Sequence, residues 1–194
     1  MTGSDFDRAA WERRLERHRA EKDEFLTESD HSPIPVEERE SFDGLAYFPL
    51  DPTYRIEARI GWAHSPESVS FRMSRGQDTE YEWVGTVGFD LADDHRTLSV
   101  YRSPGVDDFF VPFRDATNGE TTWKHGRYLG LDADRETVEN GASVVLDFNL
   151  AYHPFCVYTE EYVAALPPTE NELDIPISAG ERLQAGTSAA SSSS

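Results

Sequence analysis

Arg55-Ile56-Glu57-Ala58-Arg59-Ile60-Gly61-Trp62 is the stretch on which the fold turns. Ile56, Ala58, Ile60 and Trp62 alternate with Arg55, Glu57, Arg59 and Gly61, the period of a strand with one face on a core and one in water. The same period continues downstream. Val69, Phe71 and Met73 alternate with Ser68, Ser70, Arg72 and Ser74, and Arg75-Gly76-Gln77-Asp78 reads as a turn. Tyr81, Trp83, Gly85, Val87 and Phe89 continue as a third strand on one face. Ala92-Asp93-Asp94-His95 then turns into a fourth strand, with Leu98 and Val100 inward. Ser103-Pro104-Gly105 breaks the chain before Phe109–Phe113, whose Pro112 predicts an edge strand or a bulge because proline has no N–H for a ladder. Asn118-Gly119 is a strong turn pair, followed by strands over Trp123–Leu131 and Val144–Leu150. Short strands separated by turn signals predict an antiparallel meander that curls into a barrel or sandwich, with the barrel preferred.

Upstream, the period is helical. From Asp5 to Thr27, Trp11, Leu15, His18, Lys22, Phe25 and Leu26 recur at three and four, and Glu12, Arg13, Glu16 and Arg17 occupy the other face. Ser4 or Asp5 is the expected cap, and Ser32-Pro33-Ile34-Pro35 forbids continuation. The fold class expected is therefore mainly β (α+β), with one long amphipathic helix ahead of the sheet. The organisation expected is a helix over residues 1–30, a β-rich domain over 31–179 and a disordered, serine-rich tail over 180–194. A chain of 194 residues fits one domain.

Charge narrows the function classes. Asp and Glu number 37 against 18 Lys and Arg, a net charge of -19, and Lys22 and Lys124 are the only lysines. Such like charge opposes compaction in dilute buffer, whereas molar salt shortens the screening length to about 3 Å. A salt-rich cytoplasm is the expected setting. With no basic tract to release counterions from a phosphate backbone, nucleic acid is excluded as a partner. No apolar run is long enough for a membrane-crossing helix, so no membrane partner is expected. Cys156 is the only cysteine, which removes an intrachain disulfide and any cysteine-rich zinc site. The six histidines lie apart, without metal-ligand spacing, and no glycine-rich phosphate loop or nucleophile elbow occurs. No metal and no cofactor are expected.

Polar chemistry concentrates between Val144 and Tyr158. Asp147 and Asn149 share a strand face that meets either water or a polar cavity. Tyr152, His153, Cys156 and Tyr158 then fall within a few residues, which admits a thiol activated by an imidazole but equally a small buried cysteine. Arg114 and Arg127 each suit a ligand carboxylate or phosphate, or a structural ion pair with one of the many acids.

Taken together, five motifs carry a resemblance. They are Leu45-Ala46-Tyr47-Phe48-Pro49 with Tyr54-Arg55, Phe113-Arg114-Asp115-Ala116-Thr117, Gly126-Arg127-Tyr128-Leu129, Asp147-Phe148-Asn149 with Ala151-Tyr152, and Leu166-Pro167-Pro168 with Glu170-Asn171. On them the chain resembles, from the N-terminal helix to about Arg182, a family of bacterial and archaeal proteins catalogued as domain of unknown function 1684. The resemblance implies shared polar positions rather than a reaction: Arg114, Asp115, Arg127, Tyr128, Asp147, Asn149, Tyr152, Glu170 and Asn171. Two departures stand out. Ala164 occupies the place where the family commonly has a second cysteine, and His153-Pro154 stands for the usual Asn-Pro, so a cysteine pair does not transfer.

These nine residues are the candidate ligand-binding set, or else a buried network that holds strand register. The first expectation is a domain binding a small-molecule ligand in a pocket built from Arg127, Tyr128, Asp147 and Asn149. The alternatives are a metal-independent, hydrolase-like enzyme using Asp147 or Glu170 as acid or base with Cys156 or His153 assisting, and an interaction protein assembling through its helix. The sequence assigns no oligomeric state.

Overall fold

The computed structural model describes residues 6–133 and 138–184. Helix α1 (Arg8–Glu28) starts at Asp7, whose carboxylate accepts the Ala10 N–H at 2.9 Å. The cap is thus Asp7 rather than Ser4 or Asp5, because Asp7 lies three residues ahead of an unpaired N–H. Trp11, Leu15 and Leu26 are buried, whereas His18 of the expected stripe is exposed. A short helix α2 (Val36–Arg39) and a two-residue strand β1 (Ala46–Tyr47) lead to a turn of 3-10 helix over Pro52–Tyr54.

The main sheet contains β2 (Arg55–Phe71), β3 (Thr79–Leu91), β4 (Asp94–Arg102), β5 (Phe109–Phe113), β6 (Arg127–Leu131) and β7 (Ser143–Asp147). Every pairing is antiparallel, in the order β6-β5-β4-β3-β2-β7. The sheet curls into a half-barrel. Its two open sides are tied where Tyr128 on β6 and Tyr152, just beyond β7, exchange backbone hydrogen bonds at 2.9 Å.

Two faces of this sheet are dry. Ile56, Ala58, Ile60, Val84, Val87, Phe89, Leu98, Val100, Phe109, Val111, Phe113, Leu129 and Leu146 fill the concave side. Phe71, Tyr101 and Ala165, flanked by Val69, Met73, Tyr81, Trp83 and Phe110, form a smaller cluster outside. The third strand was expected to keep one face from Tyr81 to Phe89. Register shifts between Trp83 and Gly85, and between Trp62 and Glu67, turn the hairpin over instead. Gly85 permits this crossing, since a Cβ there would lie 2.2 Å from the Gly61 carbonyl oxygen.

Three further expectations are corrected. β5 is flanked by β4 and β6, so Pro112 is on no edge; the β4 ladder reaches only Phe109 and Phe110, which leaves no N–H wanting at Pro112. The strand expected over Val144–Leu150 ends at Asp147 and continues as 3-10 helix over Phe148–Leu150, so Asp147 and Asn149 do not share a strand face. The tail does not begin at residue 180. Glu181–Arg182 form β8, paired antiparallel with β1, and Glu181 is buried. Residues 185–194 of the expected tail lie outside the described residues.

Candidate functional site

Arg127 is the largest of the fully buried side chains. Its guanidinium donates to Asp115 Oδ2 at 2.9 Å and to the carbonyls of Ile177 at 2.7 Å, Glu181 at 3.1 Å and Ala179. Asp115 in turn accepts from the Thr117 N–H and hydroxyl and from the Ile177 N–H. Four donors of the planar guanidinium, on its two terminal nitrogens, thus tie β6 to Asp115 and the returning C-terminal segment.

The other candidates have similar partners. Asn171 donates to the carbonyls of Ser99 and Pro112 and accepts the Ser99 N–H at 2.7 Å, so one side-chain amide fills the gap where the β4–β5 ladder stops. Asn149 pairs both ways with the backbone of Asp51 and also donates to Asp147. The second oxygen of Asp147 accepts the Trp11 indole N–H at 2.6 Å. Glu170 accepts the Tyr101 hydroxyl at 2.9 Å. The Tyr128 hydroxyl donates to the Ala165 carbonyl, and its pKa is pushed up by burial. Burial, with Asp108 and Glu181, takes Tyr152 up to about 12.

The four therefore do not converge on the expected pocket: Asp147 and Asn149 bond to each other, whereas Arg127 and Tyr128 bond to separate parts of the chain. Nor does the His153–Cys156 spacing become a pair. His153 Nε2 accepts the Trp123 N–H at 3.2 Å, and among the described residues no hydrogen bond joins it to Cys156. Burial pushes the Cys156 thiol up, against smaller opposing effects of Ser74 and Arg75.

Glu181 is a hub that the sequence reading missed. It accepts from Lys22, from the His153 N–H at 2.8 Å and from the Tyr158 hydroxyl at 3.1 Å. The signals available were the resemblance reaching Arg182 and the rarity of lysine.

Arg114, one of the nine, opens onto a cavity. A cleft of about 450 Å³ runs along the end of the outer cluster, lined by Val69, Ser70, Phe71, Arg72, Arg114, His125 and residues 166–169. Each basic side chain is set by a backbone anchor. Arg72 follows β2, and its carbonyl accepts the Leu166 N–H at 2.8 Å. Arg114 follows β5, donating its N–H to Asn171 and accepting from Leu173. His125 is carried close by Gly126, where φ is +111° and a Cβ would lie 2.4 Å from the Phe113 carbonyl oxygen and 2.9 Å from Pro167.

Electrostatically, the cleft runs against the chain. Burial, then Lys124, Arg114 and Arg72, hold the His125 imidazole below its ordinary value. Among the described residues, Arg72, Lys124 and His125 have no ion pair, and Arg114 has only Glu172 at 3.6 Å, both half in water. The Arg114 Nε is shielded and has no hydrogen-bond partner among the described residues. Arg72, Lys124 and His125 were not singled out from the sequence; the adjacent basic residues Lys124-His125 in so acidic a chain were the available signal.

A second cavity, of about 350 Å³, lies between Ile34, Phe42, Leu45, Val157 and Leu183. At its rim the Arg182 Nε donates to the Tyr47 carbonyl, and Gln184 donates to that of Gly44. Those polar heads serve the chain's own backbone.

No curated protein matches the chain. Among solved structures, the chain is similar to the solution NMR structure of the uncharacterized protein from gene locus rrnAC0354 of Haloarcula marismortui. The identity is 43%, the TM-score is 0.74, and the match covers 93% of this chain and 98% of that one. A family described as "Protein of unknown function (DUF1684)" matches residues 40–182, which take in every strand and all nine shared polar positions. On that match and the half-barrel it spans, the chain belongs to this family.

Proposed function

We propose that the protein is a ligand-binding β domain that takes a small organic anion in the cleft beside Arg114, in the cytoplasm of a salt-adapted cell. One observation carries this reading. Arg72, Arg114 and His125, with Lys124 beside them, gather on one cavity in a chain of net charge -19. A guanidinium fork suits a carboxylate or phosphate. Val69, Phe71, Leu166, Pro167 and Pro168 offer an apolar wall for the organic part, and the volume falls in the range of small-molecule sites. The acidic excess and the similarity to a haloarchaeal protein support the salt-rich setting. In molar salt, charges act over only about 3 Å, so such a site works by direct contact rather than long-range steering.

The test is an amide NMR titration of the full chain in molar KCl with butyrate and butyl phosphate. Shifts are expected at the amides of Arg72, Arg114, His125, Leu166 and Thr169. Arg114→Gln is expected to weaken binding by about tenfold, the loss of one charge-assisted fork. If those amides stay still, or Arg114→Gln binds as well as the parent, the reading fails.

A further inference from the structure

The charge around the cleft is unbalanced by a definite amount. Arg72, Arg114 and Lys124 are permanent cations, and Glu172 is the one carboxylate in ion-pair reach of any of them among the described residues. A monoanion leaves part of that excess uncompensated, whereas a dianion cancels it.

His125 adds a titratable group. The charges facing it are Lys124 on its own segment, Arg114 from the end of β5 and Arg72 from the end of β2. Glu172, on the segment after the Thr169–Asn171 turn, is tied to Arg114, and the neutral Trp123 ring packs edge-on at 4.9 Å. Burial first, then these three cations, disfavour the charged imidazole; two negative charges among them reverse the cationic part of that field.

We infer that the cleft is built for a dianionic headgroup, a phosphate monoester or a short dicarboxylate, and that His125 takes up one solvent proton as the headgroup binds. This rests on the reading of the cleft as an anion site. The headgroup keeps its charge, and the only bond formed is N–H on the imidazole. Linkage then fixes the sign: binding that takes up a proton strengthens as pH falls through the interval between the free and bound His125 values.

The experiment uses the full chain in molar KCl with sulfate, butyl phosphate, succinate and butyrate, following the Arg72 and Arg114 amides and the carbon-bound ring protons of His125. Sulfate stays dianionic across the range, so a pH dependence of its binding belongs to the protein. The dianions are expected to bind about tenfold more tightly than butyrate. Sulfate is expected to raise the His125 pKa by about one unit, equivalent to about tenfold in affinity between the two protonation states. His125→Gln should flatten the pH dependence, and the order of butyl phosphate and succinate separates phosphate from carboxylate. Butyrate binding as tightly as the dianions overturns the headgroup class while the anion site stands. An unmoved His125 with sulfate bound overturns the proton uptake alone. If no anion shifts the cleft amides, this inference fails together with the reading beneath it.

Discussion

The indole N–H of Trp11 donates to Asp147 Oδ2 at 2.6 Å, joining the first turns of α1 to the end of β7 across 136 positions of sequence. Both partners are buried. The other Asp147 oxygen is engaged by the N–H and side-chain amide of Asn149, which itself clasps the backbone of Asp51. One carboxylate therefore seats the helix and braces the approach to β2.

Trp11→Phe keeps most of the apolar contact but removes the donor, leaving a buried carboxylate oxygen short of a partner. Such a loss costs about 1–3 kcal/mol. Urea unfolding in molar KCl is expected to show a fall of that size, and a variant within experimental error of the parent would mean that the bond contributes nothing.

Removing Arg127 strands Asp115, whose side chain has no exposure to water. Breaking a buried pair from one side costs about 3–5 kcal/mol, whereas replacing both partners with apolar groups often recovers much of the loss. Arg127→Met is expected to lose an amount in that range, and Arg127→Met with Asp115→Leu less than the sum of the two single changes. Strict additivity in denaturant unfolding would contradict the pairing.

His153 links stability to pH. Burial first, then Arg127 and Lys22, hold its imidazole down to about 3. Glu181 Oε2 lies 3.7 Å from the ring, but Lys22, Tyr158 and the His153 N–H already compete for that carboxylate, so burial prevails. Above pH 6.5 the ring is neutral in both folded and unfolded chains. As pH falls from 6.5 toward 3, the unfolded chain takes up a proton that the folded one refuses, and stability drops by up to about 1.4 kcal/mol per pH unit. Unfolding free energies between pH 7.5 and 5 should show this slope, and His153→Gln should reduce it; an unchanged slope in the variant would assign it elsewhere.

Stability is also expected to rise with KCl into the molar range, because screening relieves repulsion within a chain of net charge -19. A melting temperature that stays flat or falls from dilute buffer to molar KCl would refute the salt-adapted reading.

The elements were legible where a local pattern repeats. Ile56, Ala58 and Ile60 face the core as their alternation predicts, and Trp11, Leu15 and Leu26 mark the docked stripe of α1. The errors fall where a contact distant in sequence overrides the local period. Tyr81 and Trp83 leave the face of Val87 because Gly85 lets β3 cross Gly61 closely. Glu181 is buried because Lys22, His153 and Tyr158 come to meet it, and nothing in Gly180-Glu181-Arg182 by itself announces them.

The sequence by itself determined the antiparallel meander, the long helix, the family and the polar residues shared with it, because periodicity and motifs are properties of neighbours along the chain. Tertiary structure alone decided what those polar residues do. It sent Asp115, Arg127, Asn149 and Asn171 into buried bonds with backbone far away in sequence, and it left Arg114 open beside Arg72 and His125. Buried polar groups take whatever partner the packing brings within hydrogen-bond reach, and that partner is set by how the sheet curls rather than by adjacency in the chain.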